Sequence, residues 1–146
     1  MKKYLLILIS ILIILILTSF FYSFNKFVQP NAEIKGHKFQ LLVVKSDKDK
    51  QIGLSKYKNL PEDKGMIFVF DKEGFYPFWM KDMKLPLDII FIKENKIVTI
   101  YENLPINNLS IYTPTQASDR VLEINANLSK KYGFSIGDSV TFKNLK

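Results

Sequence analysis

The chain of 146 residues has no cysteine, so its stability has to come from a packed core and not from disulfide bonds. The same absence excludes thiolate nucleophiles and sulfur-ligated metal ions, and the sequence predicts no metal site and no cofactor. Of the net charge of +7, three charges belong to Lys2, Lys3 and Lys26, which leaves +4 scattered over the rest of the chain. With no recognition motif beside it, this excess predicts no nucleic-acid binding.

The N-terminal segment is the most apolar part of the chain. Residues 4–24 contain no charge, proline or glycine, and as a helix they span about 31 Å, the thickness of a bilayer core. Secretory signal peptides have shorter apolar regions, of roughly 7 to 15 residues, and end in small side chains, whereas bulky aromatic residues follow here. We therefore predict that residues 1–27 are an uncleaved signal anchor in the membrane. Lys2 and Lys3 favour a cytoplasmic N-terminus, which predicts an extracytoplasmic C-terminal domain.

A short stalk is predicted between the anchor and the folded part of the chain. Pro30 and Gly36 interrupt any regular element in residues 28–36. Residues 37–146 carry the aromatic and branched side chains of one packed core, and we predict that they form a single globular domain.

The globular part shows short strands and two short helices. Ser46 and Asp49 have the spacing of a capping box, which predicts a short helix through about Leu54, with a polar turn as the alternative. A mainly β sandwich or barrel is the fold class that this pattern predicts. The predicted strands are residues 38–44, 65–70, 75–80, 87–92, 96–101, 120–124 and 139–143, and the second helix is residues 127–133.

Two turns are predicted to join neighbouring strands into hairpins. Residues 71–74 separate the second and third predicted strands, and residues 93–95 separate the fourth and fifth. Pro77 cannot donate a ladder hydrogen bond, so the third strand is expected at an edge or with a bulge. Residues 102–119 show no regular period, and a loop of this length in a small domain is often functional.

His37 is the only histidine, and it lies beside a glycine at the start of the globular domain. A catalytic triad or a histidine-rich metal site would depend on this residue alone, so we expect it to have an exposed, structural role. Carboxylates are what remain for catalysis, and a pair of them hydrolyses glycosides when one is protonated and the other ionised. This leaves open a hydrolase that uses Asp88 with Asp82 or Glu123.

Asp88 is the carboxylate that most needs an explanation. It begins a strand with apolar residues on both faces, where an ionised carboxylate costs several kcal/mol unless it is paired and hydrogen-bonded. Arg120 is the only arginine, and alternation places it on the apolar face of another strand. We predict that Asp88 and Arg120 form an ion pair in a cluster that also contains Lys81, Glu123 and Asp82. The cluster is either a structural staple or a polar pocket.

Apolar side chains around the only tryptophan offer a wall for such a pocket. Trp79, Phe78, Met80 and Met83 are aromatic or polarisable, and a surface of this kind suits sugar or peptide binding. Packing in the core is the alternative role for the same residues.

Five short motifs occur in the order and spacing of one protein family. They are IGL at residues 52–54, GMIFVF at 65–70, FWMKDMKLPLDIIFI at 78–92, VLEINAN at 121–127 and IGDSVTF at 136–142. The chain resembles the bacterial and archaeal family named domain of unknown function 192. This resemblance implies a compact, jelly-roll-like β domain, often exported or membrane-anchored, with no established reaction. The family pattern falls on Gly53, Gly65, Met66, Phe78, Trp79, Met80, Lys81, Pro86, Asp88, Glu123, Gly137 and Asp138.

The sequence departs from the family pattern at three places. Ser55 stands where the family commonly has methionine, and Asp82 and Met83 stand where it has Asn-Thr. Asn127 stands where the family has glycine. Asparagine tolerates the left-handed backbone that often requires glycine, so this last change leaves the fold intact.

These observations predict a membrane-anchored extracytoplasmic domain that binds a ligand or partner near the cell envelope and catalyses no reaction. Glycans, peptides and proteins of the envelope are the partner classes left open. The alternatives are a carboxylate-dependent hydrolase acting on a wall or surface glycan, and a purely structural or interaction module.

Overall fold

The computed structural model describes residues 2–26 and 29–145, and its first element is a long helix. Helix α1 (Lys2–Lys26) contains an 18-residue stretch, Leu6–Ser23, with a mean hydropathy of 2.6 and no part buried against the rest of the protein. The hydroxyls of Ser10 and Thr18 donate to carbonyls three residues earlier, at 2.7 and 3.0 Å, so these polar groups are satisfied within the helix. By length and composition the helix can cross a membrane, a property that anchors share with signal sequences.

Within the described residues, seven strands form one curved sheet. The strands are β1 (Asn31–Ile34), β2 (His37–Val44), β3 (Lys64–Gly74), β4 (Leu87–Lys93), β5 (Lys96–Leu104), β6 (Ser118–Asn125) and β7 (Val140–Lys143). Every neighbouring pair is antiparallel except β2 and β3, and the strand order is β5-β4-β6-β3-β2-β1-β7. The turn before β7 reaches the other edge of the sheet, where the N–H of Ile97 donates to the carbonyl of Asp138 at 3.0 Å. The sheet is thus a half-barrel, and the predicted mainly β fold is confirmed.

Both predicted short helices are present. Helix α2 (Asp47–Ile52) begins at Ser46, whose hydroxyl accepts a hydrogen bond from the N–H of Asp49 at 3.2 Å, as the capping box predicts. A 3₁₀ turn (Gly53–Lys56) follows it directly. Helix α3 (Leu128–Tyr132) lies between β6 and β7. The residue before it, Asn127, has a left-handed φ of +70°, so asparagine does take the backbone conformation expected there.

The sheet has a packed core on each face. The first six residues of β4 are all buried, so the side chains on both faces of this strand are covered. We call one face the loop side, since segments outside the sheet cover it with Leu54, Met80, Met83 and Leu85. The side chains of the other face pack against one another inside the half-barrel, and we call this face the barrel side. Burying one Leu, Ile, Met or Phe side chain contributes roughly 1.5–3 kcal/mol, so the two cores hold the strands together without a disulfide. The barrel-side core includes Ile34, Phe39, Ile90, Ile92, Leu122, Ile124 and Val140.

Of the two predicted hairpins, one is confirmed and one is wrong. Strands β4 and β5 join through Glu94 and Asn95, which both have positive φ, as a two-residue turn requires. Strand β3 instead continues through the other predicted turn as far as Gly74, and residues 75–80 do not return along it. Both edges of β3 are already occupied, by β2 and by β6, so no edge is left for a hairpin partner.

Part of the predicted stalk belongs to the folded domain. Residues 31–34 form β1, which pairs with both β2 and β7. Lys35 and Gly36 make the turn into β2, with φ values of +50° and +82°. Gly36 therefore belongs to the turn of a hairpin and not to a flexible connection.

Candidate functional site

Asp88 is fully buried, and backbone amides hold its carboxylate. Oδ1 accepts hydrogen bonds from the N–H groups of Asn103 and Asn127 at 2.8 and 2.9 Å, and Oδ2 accepts one from the N–H of Ser129 at 2.7 Å. These donors lie near the end of β5 and at the start of α3. Three N–H donors compensate for the hydration that the carboxylate loses on burial. Asp88 therefore links β4 to β5 and to the start of α3.

The predicted ion pair between Asp88 and Arg120 is wrong. The two residues lie on neighbouring strands and share a face, but Asp88 is opposite Ile124 and Arg120 is opposite Ile92. This four-residue offset separates them by roughly 13 Å along the strands. Arg120 instead donates to the side chain of Asn95 at 2.6 Å.

A pocket of about 260 Å³ opens on the loop side of the sheet. It lies between the 3₁₀ turn, β3 and the segment of residues 76–83. Glu123 of β6 is the only acid among the described residues that line it, and Lys50 and Lys81 are its only cations. The other lining residues are Gln51, Ile52, Gly53, Leu54, Phe68, Phe70, Tyr76, Pro77, Phe78, Trp79 and Met83.

Glu123 places an unsatisfied carboxyl group in this pocket. The residue is 4% exposed, and its Oε2 atom has no hydrogen-bond partner within the described part of the chain. Burial raises the pKa of Glu123 to about 8, and no neighbouring cation lowers it. At neutral pH the carboxyl group is therefore protonated by roughly ten to one. In this form it both donates and accepts a hydrogen bond.

Aromatic side chains make a packed wall around the pocket. The ring of Phe78 packs perpendicular to the rings of Phe68 and Phe91, at centroid distances of 5.0 and 5.6 Å. Phe70 and Tyr76 stack at 3.6 Å, and the Nζ of Lys50 lies 4.5 Å from the Phe70 centroid. These contacts fix the wall in place before any ligand binds.

The pocket contains some of the predicted site residues and omits others. Met80 is fully buried in the loop-side core and does not line the pocket. Asp82 lies outside the lining, in a turn where its φ is +59°. Asp88 and Arg120 lie elsewhere, as described above. The predicted residues that do line the pocket are Lys81, Glu123, Trp79, Phe78 and Met83.

The hydrolase that pairs Asp88 with Asp82 or Glu123 is not assembled. Glu123 is opposite Ile89 and Asp88 is opposite Ile124, so the two carboxyl groups project from opposite faces of the sheet. Asp82 lies in a turn of the segment that covers the loop side, whereas Asp88 is fully buried and both of its carboxylate oxygens accept hydrogen bonds from backbone amides. A paired-carboxylate mechanism requires both groups on the same ligand.

Sequence reasoning missed two parts of the pocket. Tyr76 and Phe70 lie on either side of the turn that was wrongly predicted as a hairpin, and their stacking depends on where that segment goes. Gly53 carried a signal in the family pattern. An added Cβ at Gly53 would lie 3.4 Å from the Phe68 ring and 4.0 Å from the Glu123 carboxyl, so this glycine sits directly beside the unsatisfied group.

Comparison with known proteins identifies the family of this chain. Residues 30–142 match the model of domain of unknown function 192, which is described as an uncharacterized ACR. The chain belongs to this family. Five positions of the family pattern stated above line the pocket: Gly53, Phe78, Trp79, Lys81 and Glu123.

Two solved structures share the fold. A Novosphingobium aromaticivorans protein of unknown function is 27% identical, with a TM-score of 0.72 over 77% of this chain and 83% of its own. A Sinorhizobium meliloti protein, described as a candidate transcription regulator, is 28% identical, with a TM-score of 0.73 over 78% of this chain and 92% of its own. No curated protein matches the chain.

Proposed function

We propose that this protein is a membrane-anchored domain that binds a compact ligand with one ring in the pocket at Glu123, here called the Glu123 pocket. The observation that carries the proposal is the buried Oε2 atom, which has no partner among the described residues and lines an apolar cavity. Leaving a buried polar group unsatisfied costs about 1–3 kcal/mol. A ligand that supplies a hydrogen bond there offsets this cost.

The pocket also indicates the chemistry of its ligand. A cavity of about 260 Å³ fits one sugar or aromatic ring and not a long chain. The aromatic wall favours a ring face, and the protonated carboxyl of Glu123 favours a hydrogen-bond acceptor at the buried end. Lys50 and Lys81 favour a negatively charged group at the mouth. An acidic sugar or an aromatic acid combines these features.

The apolar helix and its flanking charges support the location in the proposal. Helix α1 is long and apolar enough to span a bilayer, and Lys2 and Lys3 favour a cytoplasmic N-terminus. We propose that the folded domain lies outside the cytoplasm, where envelope glycans and peptides are the available ligands.

Nucleic-acid binding does not form part of the proposal. The description of the Sinorhizobium meliloti protein as a candidate transcription regulator applies to that protein. In this chain α2 and α3 have six and five residues, which is too short for a helix that reads the major groove.

The test is a binding screen with the full chain in lipid nanodiscs. Ligand-observed NMR would compare N-acetylated sugars, uronic acids and aromatic acids. Glu123→Leu removes the carboxyl group at similar volume, and Trp79→Ala removes part of the wall from an exposed position. Phe75→Ala is the matched control, because Phe75 is an exposed aromatic residue that does not line the pocket.

A ligand of the Glu123 pocket should bind Glu123→Leu roughly tenfold more weakly, since about 1.4 kcal/mol of hydrogen bonding is lost. It should also bind Trp79→Ala more weakly and Phe75→Ala unchanged. If every ligand found binds all three variants equally well, the proposal is wrong and a structural module becomes the better description.

A further inference from the structure

Large apolar side chains are exposed on two neighbouring segments of the folded domain. Phe75 and Trp79 are 62% and 55% exposed, and Ile106, Leu109 and Ile111 are 47%, 72% and 62% exposed. We call these five side chains the loop patch. Elsewhere in residues 29–145 the large apolar side chains with comparable exposure are Val43, Tyr57 and Ile136, which lie on separate segments. The exposed apolar surface is therefore concentrated on one pair of loops.

Backbone pairing holds the two segments side by side. The N–H of Phe78 donates to the carbonyl of Tyr112 at 2.9 Å, and the N–H of Tyr112 donates back at 2.8 Å. Both of these side chains pack against the loop-side core. Successive side chains in extended pairing point to opposite sides, so Trp79 and Ile111 point outward next to each other. This pairing thus holds Trp79 and Ile111 of the loop patch in place.

The connection to the helix is too short to hold the domain away from a membrane. Five peptide steps join Lys26, at the end of α1, to Asn31, at the start of β1, and they span at most about 18 Å. A domain of this length is roughly 30 Å across. With α1 in a bilayer, one face of the domain has to lie near the lipid headgroups. This step rests on the anchoring proposed above.

We propose that the loop patch docks on the surface of the membrane in which α1 is anchored. Tryptophan favours the membrane interface because its ring is apolar and its N–H is polar, and the aliphatic side chains beside it favour the acyl boundary. The exposed Lys81 and Lys84 follow the patch with Asp82 between them, and the chain after α1 carries a net +4, which suits anionic headgroups. Trp79 also lines the Glu123 pocket, so docking brings the pocket mouth to the interface.

Trp79 is the only tryptophan, so its fluorescence reports on the loop patch without labelling. The full chain would be reconstituted in vesicles of phosphatidylcholine and phosphatidylglycerol, with or without brominated phosphatidylcholine. We expect brominated lipid to quench the Trp79 emission, and iodide in the buffer to quench it only weakly. A double variant, Leu109→Glu with Ile111→Glu, should reverse both results. Ile136→Glu is the matched control, because Ile136 is 65% exposed and lies outside the patch.

The possible failures are distinguishable. A chain that does not float with vesicles disproves the anchoring and the docking together. A chain that floats, but whose Trp79 is open to iodide and insensitive to brominated lipid, disproves the docking alone. Protection from iodide that grows with the protein-to-lipid ratio, without quenching by brominated lipid, would assign the patch to a second copy and overturn the proposal. Ligand binding to the Glu123 pocket is measured separately and should survive the double variant, since Leu109 and Ile111 do not line the pocket.

Discussion

Replacing Glu123 with glutamine is expected to remove a pH dependence from the stability of the folded protein. Burial raises the pKa of Glu123 from 4.5 to about 8. Between these values the unfolded chain releases the proton while the folded chain keeps it, so the wild type loses stability as pH rises from about 4.5 to about 8. Each pH unit corresponds to roughly 1.4 kcal/mol, which gives a total loss of about 5 kcal/mol. Glutamine does not titrate, so the variant should show none of this loss.

The measurement is the free energy of unfolding by denaturant at intervals from about pH 4 to about pH 9, followed by Trp79 fluorescence. The difference between wild type and Glu123→Gln isolates this one group, because the other titrating groups are common to both proteins. Glu102→Gln, at an exposed position, is the control and should run parallel to the wild type at every pH. A constant difference between wild type and Glu123→Gln across the range would refute the reasoning, since Glu123 would then titrate alike in the folded and unfolded states.

Three further changes test the contacts around the site by denaturant unfolding. Asp88→Asn should destabilise the protein by about 3 kcal/mol, because an amide NH₂ would face the N–H of Ser129. A loss below about 1 kcal/mol would contradict the hydrogen bonds from three backbone amides. Arg120→Met should lower the free energy of unfolding by less than about 1 kcal/mol, as expected for a partly exposed charge. A loss as large as that of Asp88→Asn would instead support an ion pair between Asp88 and Arg120. Gly65→Ala should lower the free energy of unfolding by roughly 1–3 kcal/mol, because an added Cβ would lie 2.9 Å from the backbone carbonyl of Glu123. An unchanged denaturation midpoint would contradict this, since β3 and β6 would then move apart without loss of stability.

Elements that depend on neighbouring residues were predictable from the sequence. Ser46 and Asp49 are three residues apart, and the hydrogen bond that starts α2 forms within that distance. The turn between β4 and β5 needs only two residues that accept positive φ. The apolar runs of β3 and β4 identify buried strands because burial on both faces leaves no room for polar alternation.

The path of the segment that follows β3 was not predictable in this way. Residues 71–74 have turn chemistry, and a hairpin is the local interpretation of that pattern. The hairpin is wrong because β2 and β6, which are distant in sequence, occupy both edges of β3. The same rerouting carries Tyr76 and Phe78 across the loop side, where they become the wall of the Glu123 pocket.

The sequence by itself determined the family, the apolar helix, the mainly β fold and the fact that Asp88 is a buried carboxylate in need of partners. Only the tertiary structure decided that those partners are backbone amides, and that Glu123 is the acid left unsatisfied in a pocket. Side-chain alternation gives the face of a strand from the sequence alone. The register between strands depends on contacts across the whole sheet, and a four-residue offset separates Asp88 from Arg120 on the face they share.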